Sequence, residues 1–203
     1  MTAISQMLRR DINPFIAAMI CAIVLIGMLG VMIGGRVAIL RNGFEVVLKA
    51  APVDPRDLMR GDYVELRYED ISMVNGALLA ADWPKEDTYA QLWLTLERSG
   101  EDRLGKPSAL SLRQPDYRLP GAVYLKSKPV MVYADDRERA GEVMFPLRFG
   151  IERYYVPEGE GLEIESARND GRTTVAVRIS QSGKAQIARL MIDGETLYSE
   201  PLY

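Results

Sequence analysis

No charged side chain occurs between residues 15 and 35, and this run of 21 residues constrains the chain more than any other stretch. At about 1.5 Å per residue, a helix of that length covers the ~30 Å hydrocarbon layer of a bilayer. Arg9, Arg10 and Asp11 stand before the run and Arg36 and Arg41 after it, where long basic side chains can reach headgroups. The pattern predicts a cytoplasmic tail over residues 1–14, a transmembrane helix over residues 15–35 and a folded domain over residues 36–203. A cleavable signal peptide is the competing reading. The run exceeds the ~7–15-residue apolar core of such peptides. Gly34-Gly35-Arg36-Val37-Ala38 also offers no small-x-small cleavage site, so an uncleaved anchor is expected. Cys21 follows Met19-Ile20, not the small residue that a lipoprotein signal places before its cysteine, and reads as a small apolar filler.

Gly27, Gly30 and Gly34 fall on one helix face, and residues 30–34 form a GxxxG match that would let a second helix approach closely. A polytopic membrane protein or a second copy of the chain could supply that helix. Glycine is frequent in membrane spans, so plain composition is the alternative. Basic residues nearly balance across the span. A short tail followed by a long domain is the usual signal-anchor layout, which puts the domain outside the cytoplasm.

Residues 36–203 carry 23 basic and 27 acidic side chains, a net charge of −4. That balance gives no basic footprint for nucleic acid. The chain has no histidine and a single cysteine, which removes Ser-His and Cys-His nucleophile pairs, histidine-ligated zinc and disulfide frameworks together. A mildly acidic domain held by core packing is what remains.

Within it, residues 44–49 are rich in β-formers and predict a first strand just after Asn42-Gly43. The densest local chemistry follows. Asp54 can cap a helical turn, Pro55 suits its first position, Asp57 sits where a capping-box carboxylate would, and Gly61 supplies a left-handed stop. Asp62 falls at the turn. Then Tyr63, Glu65 and Arg67 alternate with Val64, Leu66 and Tyr68, the period of a strand whose Val/Leu/Tyr face looks inward.

Gly61-Asp62-Tyr63-x-x-Leu66-x-Tyr68 resembles the signature of the bacterial GDYXXLXY protein family at every lettered position. The likeness extends to the Asp-Pro-Arg-Asp approach, to residues 153–159 and to Ile192-Asp193-Gly194. The resemblance implies a membrane-anchored bacterial protein of uncharacterised function, often encoded beside polytopic membrane proteins, and it implies no catalytic residues. The expected location is therefore the bacterial inner membrane, with the domain on its periplasmic or outer side.

Further along, residues 75–88 read as a connecting loop and residues 89–97 as a strand. Residues 99–120, with Gly100, Gly105, Pro107, Pro115 and Pro120, read as a long irregular excursion. Residues 121–128 return to strand. Residues 135–139 form a charge run expected to be a solvated turn, and residues 143–151 resume extended structure. A short helix is expected over residues 160–168, stopped by Asn169-Asp170-Gly171. Residues 173–198, with turns at Ser182-Gly183 and Asp193-Gly194, predict a meander. The sum is a mainly β fold, an antiparallel sandwich or partly open barrel with one or two short helices.

Candidate chemistry is sparse. Asp54, Asp57 and Asp62 could gather around a hard cation, but their spacing is not that of a calcium loop and capping accounts for two of them. Glu158, Glu160 and Glu163 could act as an acid/base set on a glycan, against the simpler reading of a solvated helix N-terminus. A Ser-Lys hydrolase remains open without histidine, although Ser127 and Lys128 are neighbours that would point to opposite faces of a strand. Tyr63, Tyr154 and Tyr155 could form a contact surface, against the alternative of half-buried sheet residues. No cofactor and no metal are expected. The preferred reading is a binding or assembly module for a polytopic membrane partner, with an envelope hydrolase as the alternative.

Overall fold

The computed structural model describes residues 13–51, 63–99, 104–115, 121–156 and 161–201. The chain divides into two units between Ala38 and Ile39. The first holds most of helix α1 (Pro14–Asn42), 29 residues long and apolar enough to cross a membrane, with none of its apolar window buried in protein. Asn13 starts it. Its side chain accepts a hydrogen bond from the Phe15 amide at 3.0 Å and its carbonyl from the amides of Ile16 and Ala17, while Pro14 takes the first helical position. The helix continues seven residues past the predicted end at Gly35, because Arg36 to Arg41 contains no helix breaker. Asn42-Gly43 ends it, with the Gly43 amide bonded to the Ile39 carbonyl at 2.8 Å.

The second unit is mainly β. Its first half contains β1 (Phe44–Ala51), β2 (Tyr63–Glu65), β3 (Arg67–Tyr68), β4 (Met73–Asn75), β5 (Thr88–Ala90), β6 (Trp93–Ser99) and β7 (Leu104–Ser111). The second half contains β8 (Ala122–Lys126), β9 (Val130–Val132), β10 (Met144–Pro146), β11 (Arg153–Tyr155), helix α2 (Gly161–Asn169), β12 (Thr173–Ile179), β13 (Ala185–Ile192) and β14 (Glu195–Ser199). Seven strands form one curled, half-barrel sheet in the order β14-β13-β12-β1-β7-β6-β8, with β3 added to β1. Neighbours are antiparallel except β1 and β7, which meet in parallel at Val47 and Leu104. The small ribbons β4–β10, β2–β11 and β5–β9 complete the unit.

Alternation explains which side fills. Val46, Leu48 and Ala50 of β1, Leu94 and Leu96 of β6, Val123 and Leu125 of β8, and Val175, Val177 and Ile179 of β12 are all buried and share one core. Burying side chains of this size stabilises the fold by about 1.5–3 kcal/mol each before entropy is subtracted. The free edge at β8 is drawn toward the β12–β13 hairpin. There the Lys126 amide donates to the Gly183 carbonyl at 2.9 Å. Gly183 is required at this seam, since its φ is +76° and a Cβ would stand 2.6 Å from Trp93 Cζ3 and 2.8 Å from Lys126 Cβ.

Four expectations are corrected. Residues 104–111 are strand β7, not part of an irregular excursion, because Pro107 faces Leu96 where the β6–β7 register shifts and the ladder tolerates a missing donor. Residues 76–82 form a 3-10 turn capped by the Asn75 side chain on the Ala77 amide at 2.8 Å, not a plain loop. The predicted strand over residues 89–97 is two strands, β5 and β6, broken at Gln91-Leu92. The extended run over residues 143–151 forms a ladder only at β10. The charge run, by contrast, is the solvated turn expected, a 3-10 turn over Ala134–Arg139 with an Arg139–Asp136 ion pair at 3.0 Å.

Candidate functional site

Strand β2 and strand β3 carry the described part of the signature, and a distant segment holds both. Pairing of β2 with β11 sets Tyr63 opposite Tyr155, Val64 opposite Tyr154 and Glu65 opposite Arg153. One step on, the Leu66 amide donates to the Glu152 carbonyl at 2.8 Å. Two residues later Tyr68 donates its phenolic hydrogen to the Ile151 carbonyl at 2.7 Å. Val64, Leu66 and Tyr68 are 0%, 1% and 2% exposed, so this face of the signature lies in the core. On its other side β3 pairs with β1, Tyr68 opposite Ala50. The Tyr68 amide is taken by the Ser72 hydroxyl at 2.8 Å.

The segment receiving these bonds is stiffened from within. The Glu152 carboxylate accepts from the Phe149 amide at 2.5 Å and the Gly150 amide at 3.1 Å. Burial pushes the Tyr68 phenol well above its ordinary value near 10, and the Glu152 charge adds to that. The phenol therefore stays protonated in the neutral range, where it donates one hydrogen bond and cannot serve as a base.

A third element completes the clasp. Arg168, from the last turn of α2, is 1% exposed and donates from Nη1 to the Glu65 carbonyl, with Asn169 Oδ1 3.3 Å from Nη2. The helix face carrying Ile164 and Ala167 toward the core also carries Arg168, four residues after Ile164. That arginine on an apolar helix stripe was the signal available in the sequence for this residue, and Glu152 left none. Beyond α2, Arg172 ties the helix end to the β13–β14 turn through Asp193 at 2.9 Å and Asp170 at 3.1 Å.

The remaining expectations fall as follows. Asp54, Asp57, Gly61 and Asp62 lie outside the described residues, as do Glu158 and Glu160 and the side chains of Tyr63 and Glu163. Tyr154 does not belong to a contact surface. Strand alternation turns it inward, 6% exposed and 6.2 Å from the Tyr198 ring, while Tyr155 points out at 73%. Gly27, Gly30 and Gly34 sit in α1 with open space where each Cβ would be. Ser127 is buried, and its hydroxyl accepts from the Leu92 amide at 2.9 Å and donates to the Lys128 carbonyl at 2.8 Å. A hydroxyl occupied on both sides and buried is a structural bracket between β6 and β8.

At the helix exit, Glu45 bridges Arg178 at 3.1 Å and Arg189 at 2.6 Å across three strands, and Arg178 also approaches the Arg41 carbonyl at 3.5 Å. Leu40 beside it is 2% exposed, so the last turn of α1 is part of the domain's packing.

The family model described as "GDYXXLXY protein" matches residues 25–190. No curated protein and no solved structure matches the chain.

Proposed function

The chain belongs to the GDYXXLXY protein family, and from that premise we propose that it is a single-pass, non-catalytic binding or assembly module for a polytopic membrane partner. Its β-rich domain stands on the periplasmic or outer side of the bacterial inner membrane. The observation that carries this reading is helix α1, whose apolar window is unburied by protein and long enough to span a bilayer. Anchoring on one span keeps the domain at the membrane surface, where a membrane-embedded partner is at high effective concentration. The signature supports the same reading from the other side, since its described residues are spent on holding strands together.

The test is purification of the full-length protein from native membranes in mild detergent, with a reporter fused at its C-terminus to fix the topology. A polytopic protein in stoichiometric yield and a reporter active outside the cytoplasm are the expected results. A clean monomer under gentle conditions overturns the reading.

A further inference from the structure

We infer that the outward face of the β5–β9 ribbon is the surface on which a protein partner docks, and that the docking segment carries lysine or arginine around an aromatic or aliphatic anchor. This rests on the binding-module reading above and assigns it a place and a chemistry. The ribbon sets Tyr89 directly opposite Met131, and both point outward, 69% and 41% exposed. Tyr133, two residues beyond Met131 on the same face, is 52% exposed. Tyrosine and methionine offer large contact area, and tyrosine gives it at low entropic cost, which is why such residues anchor interfaces.

The platform beneath is rigid. Val132 is fully buried, Asp87 Oδ1 accepts from the Ala134 amide at 2.9 Å, and the Trp83 indole donates to the Tyr133 carbonyl at 2.9 Å. Trp83 is in turn packed on Phe145 with centroids 5.8 Å apart. These contacts brace the backbone that presents the face, which lowers the ordering cost of docking.

Charge selects the occupant. Residues 82–87 hold three carboxylates and one lysine, and residues 135–142 hold four carboxylates and two arginines. Their combined net of −4 makes both segments that flank this ribbon locally acidic. Two copies meeting through the same face would oppose like charges, and an anionic bilayer surface would repel it. A basic segment with an apolar anchor satisfies both the rim and the centre.

The experiment places the photocrosslinking residue p-benzoylphenylalanine at Tyr89 of the full-length protein in native membranes, with control positions at Tyr155 and Leu197. The expected result is an adduct from position 89 whose crosslinked peptide, sequenced by mass spectrometry, contains at least two basic residues beside an apolar one. Glu86→Lys with Asp135→Lys, both exposed, should reduce that adduct about tenfold while the thermal melting curve is retained. A partner captured at Tyr155 or Leu197 but not at 89 overturns the surface and leaves the binding-module reading standing. An acidic peptide, a lipid or the chain itself captured at 89 overturns the chemistry. Capture at no position removes both.

Discussion

Tyr68 and Ile151, 83 residues apart in sequence, are joined by a buried 2.7 Å hydrogen bond from phenol to carbonyl. It fastens the last residue of the signature to the turn that precedes β11. Tyr68→Phe keeps the ring and strands one buried carbonyl, so it should cost about 1–2 kcal/mol. Tyr68→Ala adds a cavity and should cost about 3–5 kcal/mol. Urea titration of the detergent-solubilised protein checks both.

The same phenol predicts a pH dependence. Its folded value is raised above the unfolded value near 10, first by burial and then by Glu152. Above pH 10 the unfolded chain releases this proton and the folded chain keeps it, so the unfolded state binds fewer protons and stability falls with pH. The contribution is fully present below about pH 10 and is lost above it at up to ~1.4 kcal/mol per pH unit. Urea midpoints at pH 8, 9.5 and 11 should show this decline, and Tyr68→Phe should flatten it relative to its own pH 8 value.

Gly183 and Gly194 both have positive φ, +76° and +83°, but a Cβ at Gly194 meets open space and one at Gly183 meets Trp93 and Lys126. Gly194→Ala should therefore cost only the backbone penalty, about 1–2 kcal/mol. Gly183→Ala should cost that plus overpacking, about 2–4 kcal/mol in all, and should speed amide exchange at Lys126. Equal losses at the two sites would contradict the seam.

Arg168→Leu removes the donor that serves the Glu65 carbonyl beneath the signature. Leaving a buried carbonyl without its donor typically costs about 1–3 kcal/mol. Arg168→Lys keeps the charge but not the fork and should recover only part of it. Thermal melts, with hydrogen exchange at Leu66 as the local readout, separate the two variants.

Ser127→Ala should cost about 1–3 kcal/mol by leaving the buried Leu92 amide without its acceptor, whereas Lys128→Ala, at an exposed position, should stay within about 0.5 kcal/mol. A stable Ser127→Ala protein with a lost cellular phenotype would instead indicate chemistry at this hydroxyl.

What the sequence made legible was local. Helix α1 announced itself by an uncharged run, although it continues past the expected end at Gly35 to Asn42. The C-terminal meander was marked by Ser182-Gly183 and Asp193-Gly194, and α2 by its Asn169-Asp170-Gly171 stop. Strand β7 was hidden because Gly105 and Pro107 are breakers in isolation, while here Gly105 gives room to Val46, whose Cγ1 would lie 2.4 Å from a Cβ. Short ribbons such as β5–β9 carry too few residues for a period to show. The parts of the clasp that matter most, Ile151, Glu152 and Arg168, act on the signature from more than 80 positions away, and no window of adjacent residues encodes that meeting. The tyrosine pair Tyr154-Tyr155 shows the opposite limit, where alternation alone separates neighbours into core and surface.

Glu45 and Arg178 are 133 residues apart, yet they bind each other on adjacent strands. Strand β1 leaves the ribosome directly behind the helix, long before its antiparallel partner β12. The Val46-Val47-Leu48 edge must therefore wait until that distant partner has been made before it is covered. Closing so long a loop is slow, and an unpaired apolar edge waiting at a membrane is open to the wrong neighbour. Biogenesis of this domain is a race between its own C-terminus and aggregation, and truncations ending before Thr173 should be insoluble or degraded rather than partly folded.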